Sequence, residues 1–231
     1  MTYSIHWKTT DLNKLDDYII RLNWYSDKVG DYSLKSLVNI RIAASLPILK
    51  KNGWDVIVDD LDKELPDKVK SVWAYIANRT FERPRDIVKF LKCIKKQSTS
   101  GKLPFKTVQK AELEYSNWFY NELRDEIHSH LPIWKEALQA VTKVGKGVFP
   151  MSELEAKMLQ DKQIMTYVES HSLSLNNIAE KLFEFSVLGN LDDRKRWLFK
   201  YKDHDMPFDE NMKLIVHFGF AKKLRFANFG N

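Results

Sequence analysis

The residues of this chain that are best suited to chemistry lie in one segment, RTFERPRDIVKFLK (79–92). Arg83 and Arg85 flank Pro84, which predicts the first turn of a helix because the missing N–H of proline costs nothing there. Positive charge at a helix N-terminus is unfavourable unless an anion compensates for it. Guanidinium groups bind phosphate and carboxylate oxygens through paired hydrogen bonds. The two arginines therefore form either a phosphate clamp or a structural lock with Asp86 or the acidic run 59–64.

A basic stretch begins at this clamp. Between 83 and 110, nine basic side chains face a single acidic one, giving +8 where the whole chain carries +6. Such a density favours a polyanionic partner, although a solvated helix face explains it equally well. If nucleic acid binds, we expect contacts to the phosphate backbone without sequence choice. The predicted contacts are Lys89, Lys92, Lys95, Lys96, Lys102, Lys106 and the cluster Arg194, Lys195 and Arg196.

Motifs for catalysis are absent from the sequence. Neither Gly-Lys pair fits the GxxxxGK[ST] pattern of a P-loop, and no GxSxG nucleophile motif occurs. His128 and His130 would point to different sides of a helix and could not share a metal there. The single cysteine, Cys93, lies among apolar helix positions. We therefore expect no catalytic residue, no metal site and no cofactor.

A second class of function remains as an alternative. Dispersed polar residues can assemble into a site that no local motif reveals, which would make the chain a nuclease-like effector enzyme. A toxin-type partner is a further alternative. The candidate residues for an assembled enzymatic site are Asp59, Asp60, His128 and His204.

Apolar spacing predicts helices over most of the chain. A capped helix follows Thr10, and others run from 33 to 51, from Pro66, from Pro84, from 107 to 131, from 132 to about 145, from 151 to 169 and from 174 to 188. RWLFKYK and KLIVHFGF alternate like the two strands of a hairpin. The predicted fold is mainly α (α+β), a helical bundle followed by a winged-helix-like domain with a C-terminal β-hairpin. The predicted domains are a helical lid-like domain at 1–131 and the winged-helix-like domain at 132–231.

Composition indicates a globular protein, with 44% hydrophobic and 29% charged residues. The sequence has no signal-peptide pattern and no apolar run long enough to span a bilayer. We therefore expect a cytoplasmic protein with no membrane partner.

Several motifs together resemble a known family. They are Ile5, Trp7, Asp11, Leu12 and Leu15, then Trp54-Asp55 followed by WAYIANRTFERPRD (73–86), and later LFEFSVLGN (182–190) and the segment around His217. In this order they resemble the region after the ATPase core in a bacterial P-loop ATPase family. That family is related to the KAP and STAND groups and is found near phage-defence genes. The resemblance implies a regulatory or binding module, in antiviral defence, that engages an ATPase core, another protein or nucleic acid.

The same segment is similar to the sensor-2 helix of AAA+ motors, in which an arginine at the start of a lid helix reaches the γ-phosphate of the nucleotide. This similarity implies that Arg85 senses nucleotide and that Arg83 is its neighbour. Walker A and Walker B motifs are absent from the sequence. The role of Arg85 would therefore require an ATPase core supplied by a partner.

Overall fold

The fold is taken from a computed structural model that describes residues 33–48, 53–58, 69–98 and 103–226, together with Trp24 and Leu65. Four predicted features lie outside the described residues: the helix after Thr10, the acidic run 59–64, the helix start at Pro66, and Lys102.

Within the described residues, three α-helices precede the basic segment. Helix α1 (Leu34–Ser45) begins where the Ser33 hydroxyl accepts a hydrogen bond from the Ser36 N–H, and it ends earlier than predicted. Gly53, which lies two residues beyond the predicted end of that helix at 51, begins α2 (Gly53–Ile57). Helix α3 (Val72–Ala77) begins after Ser71, whose hydroxyl accepts from the Ala74 N–H.

Helices α4 (Pro84–Gln97) and α5 (Phe105–Ile127) confirm the predicted helices over these segments. They lie antiparallel, since the start of α4 contacts the end of α5 and the end of α4 contacts its beginning. Phe90 of α4 stacks on Tyr115 of α5 with ring centroids 4.2 Å apart, and both side chains are fully buried. This contact lies at the centre of the helical half of the molecule.

The second half contains four more described helices: α6 (Trp134–Val144), α7 (Met151–Met158), α8 (Lys162–His171) and α9 (Leu175–Glu184). Helix α6 ends as predicted, at Gly145, whose φ of 74° favours glycine. The single helix predicted over 151–169 is wrong. The chain breaks after Met158 and restarts at Lys162, because the Asp161 carboxylate caps a new helix.

Short strands form an antiparallel sheet in the order β1-β4-β2-β3. The strands are β1 (Val148–Phe149), β2 (Leu188–Leu191), β3 (Trp197–Leu198) and β4 (Lys213–Val216), and a 3-10 turn (Phe218–Phe220) follows. The two predicted hairpin strands do not pair with each other, so that part of the prediction is wrong. Strand β2 lies between them, and its Asn190 pairs with both Leu198 and Leu214. The prediction missed this strand because α9 ends at Glu184 and not at 188.

The mainly helical, α+β fold class is confirmed. Most of the buried apolar side chains form one large cluster that runs from Leu34 to Phe226 and therefore crosses position 131. Phe199, Ile215 and Phe218 form a smaller cluster. Helix α5 packs against the 3-10 turn, where the Ser116 hydroxyl donates to the Gly219 carbonyl over 2.7 Å. The division at 131 and the winged-helix description of the second half stay predictions.

Candidate functional site

The RTFERPRD segment forms the turn between α3 and α4, and half of it is buried. The Thr80 hydroxyl donates to the Ala77 carbonyl and accepts from the Glu82 N–H, which supports the positive φ of 52° at Glu82. The Phe81 N–H donates to the Asp86 carboxylate over 3.2 Å. These bonds fix the direction in which α4 leaves the turn, and with it the placement of the arginines.

Arg79, in this segment, is one of the most buried side chains of the described structure. Its Nε lies 2.7 Å from Oε1 of Glu112 on α5, and its Nη1 donates to the Tyr75 carbonyl. The Tyr75 hydroxyl donates to the other Glu112 oxygen over 2.6 Å, and burial raises the pKa of this phenol. Lys222 Nζ, in the segment after the sheet, lies 4.0 Å from the same carboxylate. This network joins α3, α5 and the segment after the sheet, so Arg79 is structural.

Asp86 is a buried carboxyl group at the start of α4. Burial raises its pKa to about 6, against the opposing pull of Arg83, the Phe81 N–H and Arg85. The Asp86 carboxylate lies in the first turn of α4, where the helix dipole favours negative charge.

Arg83 and Arg85 point away from this buried network toward α5. Arg85 Nη2 lies 2.6 Å from Oε2 of Glu122, and Arg83 Nη1 lies 3.3 Å from Oε1 of Glu126. Asp86 is only a distant partner, 4.0 Å from Arg85. The predicted lock with carboxylates therefore exists, but its main partners lie on α5, which the sequence analysis did not name. Arg85 is still 57% exposed, so its guanidinium group remains accessible to an anion.

Arg85 is the first of a row of basic residues at helical spacing along the exposed face of α4. The row comprises Arg85, Lys89, Lys92 and Lys96. Lys96 is bound to Glu114 of α5 over 2.6 Å, and Lys89 Nζ lies 5.6 Å from the ring centre of Trp118. Glu114, Trp118 and Glu122 follow one another at four-residue intervals on α5. They therefore form a row on α5 that faces the basic row of α4. In the described structure, Lys92 has no carboxylate partner.

A cleft of about 270 Å³ opens at this row, where α1 approaches α4. Four basic side chains converge on it, and an indole ring forms part of its apolar wall. Its lining comprises Arg41, Pro84, Arg85, Val88, Lys89, Lys92 and Trp118. We call it the α4 cleft. Clustered cations with an accessible aromatic ring suit a ligand that carries both phosphate groups and flat apolar groups.

Sequence reasoning missed two of the residues in the α4 cleft. Arg41 lies on α1, 44 positions before Arg85, and nothing in its local sequence connects it to α4. Trp118 falls in the helix predicted from 107 to 131, where an apolar side chain is expected to face the core, yet it is only partly buried. Its four-residue spacing from Glu114 and Glu122 was the available signal.

The structure separates the other predicted basic contacts from the α4 cleft. Lys95 and Lys106 are exposed but do not line it, and Lys96 is bound to Glu114. Arg194, Lys195 and Arg196 lie in the exposed turn between β2 and β3, where Arg196 is bound to Asp192 over 2.6 Å. The predicted contacts therefore form at least two separate surfaces, one of which lines the α4 cleft.

His217 is a fully buried histidine. Burial lowers its pKa to about 3, and its Nδ1 accepts a hydrogen bond from the Gly219 N–H. The rings of Phe81, Phe199 and Tyr201 surround it at 5.0 to 5.3 Å. This histidine is therefore neutral and part of the packing.

The residues considered for an enzymatic site do not come together in the described parts of the chain. His128 and His204 are exposed on separate elements, and Asp59 and Asp60 lie outside the described residues. Cys93 is buried, and burial raises the pKa of its thiol. Within the described residues, no group of three or more His, Cys, Asp or Glu side chains could hold a metal ion. The nuclease-like alternative thus gains no support from these positions.

Comparison with known protein families gives a match over part of the chain. Residues 32–124 match the family described as the FunZ-associated C-terminal helical domain, which covers about two fifths of the chain. The matched segment contains α1 to α4, most of α5 and the entire α4 cleft. No curated protein and no solved structure matches the chain significantly. The match agrees with a C-terminal, helical region of a larger family, and the relation to P-loop ATPases stays a prediction.

No helix in the described part of the chain combines the length and the apolar character that crossing a bilayer requires.

Proposed function

We propose that the chain is a non-catalytic module that binds the phosphate backbone of nucleic acid at the α4 cleft, without sequence choice. The observation that carries this proposal is the convergence of Arg41, Arg85, Lys89 and Lys92, from two helices, on one concave surface. Nonspecific binding to nucleic acid comes almost entirely from such neutralisation of phosphates. The match to the FunZ-associated C-terminal helical domain supports a module that has no catalytic activity of its own.

The availability of the cations supports the same proposal. Arg41 and Lys92 are exposed, and neither has a carboxylate partner within the described structure. Arg85 is held by Glu122 at 2.6 Å but stays 57% exposed, so a phosphate can replace the carboxylate. Exposed ion pairs of this kind contribute at most about 1 kcal/mol, which makes the exchange inexpensive.

Binding assays with charge-reversed variants test this function. We expect a labelled strand of about 20 nucleotides to bind at about 50 mM salt, with an affinity that falls steeply as salt rises. The variant Arg41→Glu/Lys92→Glu should weaken binding at least about tenfold and lower the salt slope by roughly 1 to 2. Lys135→Glu/Lys162→Glu is the matched control, because it makes the same charge change on exposed side chains of α6 and α8. Equal losses in both variants, or no binding at low salt, would contradict the proposal.

A second candidate function is that of a lid for a partner ATPase, as the resemblance to sensor-2 helices implies. Its specific support is Arg85, which lies exposed in the first turn of α4, directly after Pro84. We expect Arg85→Ala to abolish capture of such an ATPase in a nucleotide-dependent pull-down, while Arg83→Ala leaves it intact. The role in antiviral defence belongs to this candidate and rests on the resemblance alone. The cytoplasmic location is a separate proposal that rests on the sequence patterns given above.

The proposal that the chain is not an enzyme has its own test. Purified protein should show no nuclease activity with Mg²⁺ or Mn²⁺. Activity that persists through purification and disappears on Asp60→Ala would establish the nuclease-like alternative.

A further inference from the structure

The α4 cleft has two kinds of wall, and phosphate binding explains only one of them. Arg41 and Lys92 contribute charge, whereas Pro84, Val88 and Trp118 contribute apolar surface. A surface that binds only a phosphate backbone does not require a partly exposed indole ring. Aromatic rings among cations are, in contrast, the usual arrangement of proteins that bind unpaired nucleotides, because each base can stack on a ring.

The size and shape of the cleft exclude a duplex from its interior. A duplex is convex and keeps its bases stacked on one another, so only phosphates and groove edges are accessible. The volume of about 270 Å³ is small even among ligand sites, and it suits a group of about the size of one nucleotide. An unpaired base can enter such a cleft while the neighbouring phosphates remain outside it.

Two cations lie near the Trp118 ring at distances that suit this arrangement. Lys89 Nζ lies 5.6 Å and Arg85 Cζ lies 5.8 Å from the ring centre of Trp118. Both are within the range at which a cation and an aromatic ring attract each other, so they hold the indole in place at the wall. If a base stacked on this ring, the phosphates of its nucleotide would lie near the positive charges of α4 and of Arg41.

We propose that the α4 cleft selects single-stranded nucleic acid, with one unpaired base stacked on Trp118 and the adjacent phosphates bound by the surrounding cations. This inference rests on the function proposed above and names its substrate class. It also gives Trp118 a role that charge alone does not provide.

The experiment compares a single strand with a duplex of the same length and sequence, by fluorescence anisotropy on the full chain. We expect the single strand to bind about tenfold more tightly at equal salt. Trp118→Leu keeps an apolar side chain against the core but removes the ring, and it should weaken single-strand binding about tenfold while duplex binding changes less than about twofold. Trp118→Phe restores a ring and should recover most of the affinity.

A matched control separates stacking from a general loss of tryptophan. Trp197 is 38% exposed beside the β2–β3 turn, outside the α4 cleft. Trp197→Leu should therefore leave single-strand binding unchanged. The thermal midpoint of each variant shows whether a loss of binding reflects a loss of folding, and Trp118→Phe keeps the inference testable if Trp118→Leu folds poorly.

The outcomes distinguish this inference from the proposed function. Absence of binding to either form at low salt contradicts both. Equal binding of strand and duplex, or an unchanged single-strand affinity in Trp118→Leu, overturns the inference and leaves phosphate binding intact. Displacement of the strand by micromolar mononucleotide would show that a free nucleotide is the ligand, which also overturns it. Binding that only an acidic protein competes for would identify a protein partner instead.

Discussion

Arg79 and Arg85 carry the same side chain and lie six residues apart, but burial gives them different roles. The Arg79 side chain is 2% exposed and is bound to Glu112 inside the molecule. Arg85 is 57% exposed at the edge of the α4 cleft, and Glu122 is the carboxylate nearest to it. A buried charge that loses its partner is costly, whereas an exposed one is stabilised by water. Arg79 is therefore expected to matter for folding and Arg85 for binding.

Replacement of Arg79 by alanine should strongly destabilise the fold. The change leaves the buried Glu112 carboxylate with only the Tyr75 hydroxyl and the more distant Lys222, so we expect a loss of about 3 kcal/mol or more in the free energy of unfolding. Urea denaturation measures this loss. Arg83→Ala removes an exposed ion pair with Glu126 and a cation–ring contact with Phe81, and it should cost about 1 kcal/mol or less. A similar cost for the two variants would mean that the buried pair is not structural.

Asp86 and His217 should affect the pH dependence of stability in opposite directions. The pKa of Asp86 is raised to about 6, so the folded state takes up a proton before the unfolded chain does, and this group adds stability as pH falls from 6 toward 4. The pKa of His217 is lowered to about 3, so the unfolded chain is protonated first, and stability falls as pH drops below 6.5. The two effects partly offset each other.

Removal of the Asp86 carboxyl should expose the contribution of His217. We expect Asp86→Asn to lose stability more steeply than the unmodified protein between pH 6 and pH 4, as followed by the thermal midpoint at each pH. Arg83, Arg85 and Glu126 act on the Asp86 carboxyl, and Lys202 and Arg79 act on the His217 ring. Asp193→Asn, at an exposed position, serves as the control. Parallel pH profiles for Asp86→Asn and the unmodified protein would contradict the prediction.

At the level of elements, one capping residue decides whether 151–171 forms one helix or two. Asp161 accepts hydrogen bonds from the N–H groups of Gln163 and Ile164, which a continuous helix would direct to carbonyls one turn earlier. The break turns α8 away from α7 and buries Ile164 and Val168 along its own inner face. The apolar spacing of the segment is similar in both arrangements, so spacing alone did not reveal the break.

Loss of this cap should destabilise the protein by a moderate amount. We expect Asp161→Ala to cost about 1 kcal/mol in the free energy of unfolding, because two N–H groups of α8 lose their partner. Asp161→Asn keeps a capping oxygen and removes only the charge, including the 3.9 Å contact with Lys143, so it should cost a few tenths of a kcal/mol. If both variants were equally destabilised, the charge and not the cap would be responsible.

At the level of the whole molecule, the segment after the sheet is held against the helical half. Ser116 on α5 donates to the Gly219 carbonyl and accepts from the Lys223 N–H, and Phe119 stacks on Phe220 at 4.7 Å. A Cβ atom at Gly219 would lie 2.5 Å from the Arg79 carbonyl oxygen. Glycine is therefore required here by close packing, and the two halves are expected to unfold together.

Replacement of Gly219 by alanine tests this coupling. We expect a loss of about 2 kcal/mol or more, because backbone atoms around Arg79 would have to move, and a single unfolding transition at a lower temperature. Gly145→Ala has open space but a φ of 74°, and it should cost only about 1 kcal/mol. Calorimetry measures both. Two separate transitions would indicate that the halves fold independently, in line with the predicted boundary at 131.

Local signals in the sequence were sufficient to predict the helices around the basic segment. Pro84 marked the start of α4, the apolar spacing marked α5, and Gly145 marked the end of α6, because these signals act within one or two turns of chain. The charge density over 83–110 also pointed correctly to a basic face on α4.

Which of those charges lie close together depends on how the helices pack. Whether Arg85 pairs with Asp86 or with Glu122, whether Trp118 is inside or at the surface, and whether Arg41 reaches α4 all depend on contacts between elements distant in the chain. The pairing of β2 with both β3 and β4 is of the same kind, since a strand's neighbours are set by packing and not by its own alternation. The α4 cleft is therefore a property of the fold, and the sequence supplied only its basic side.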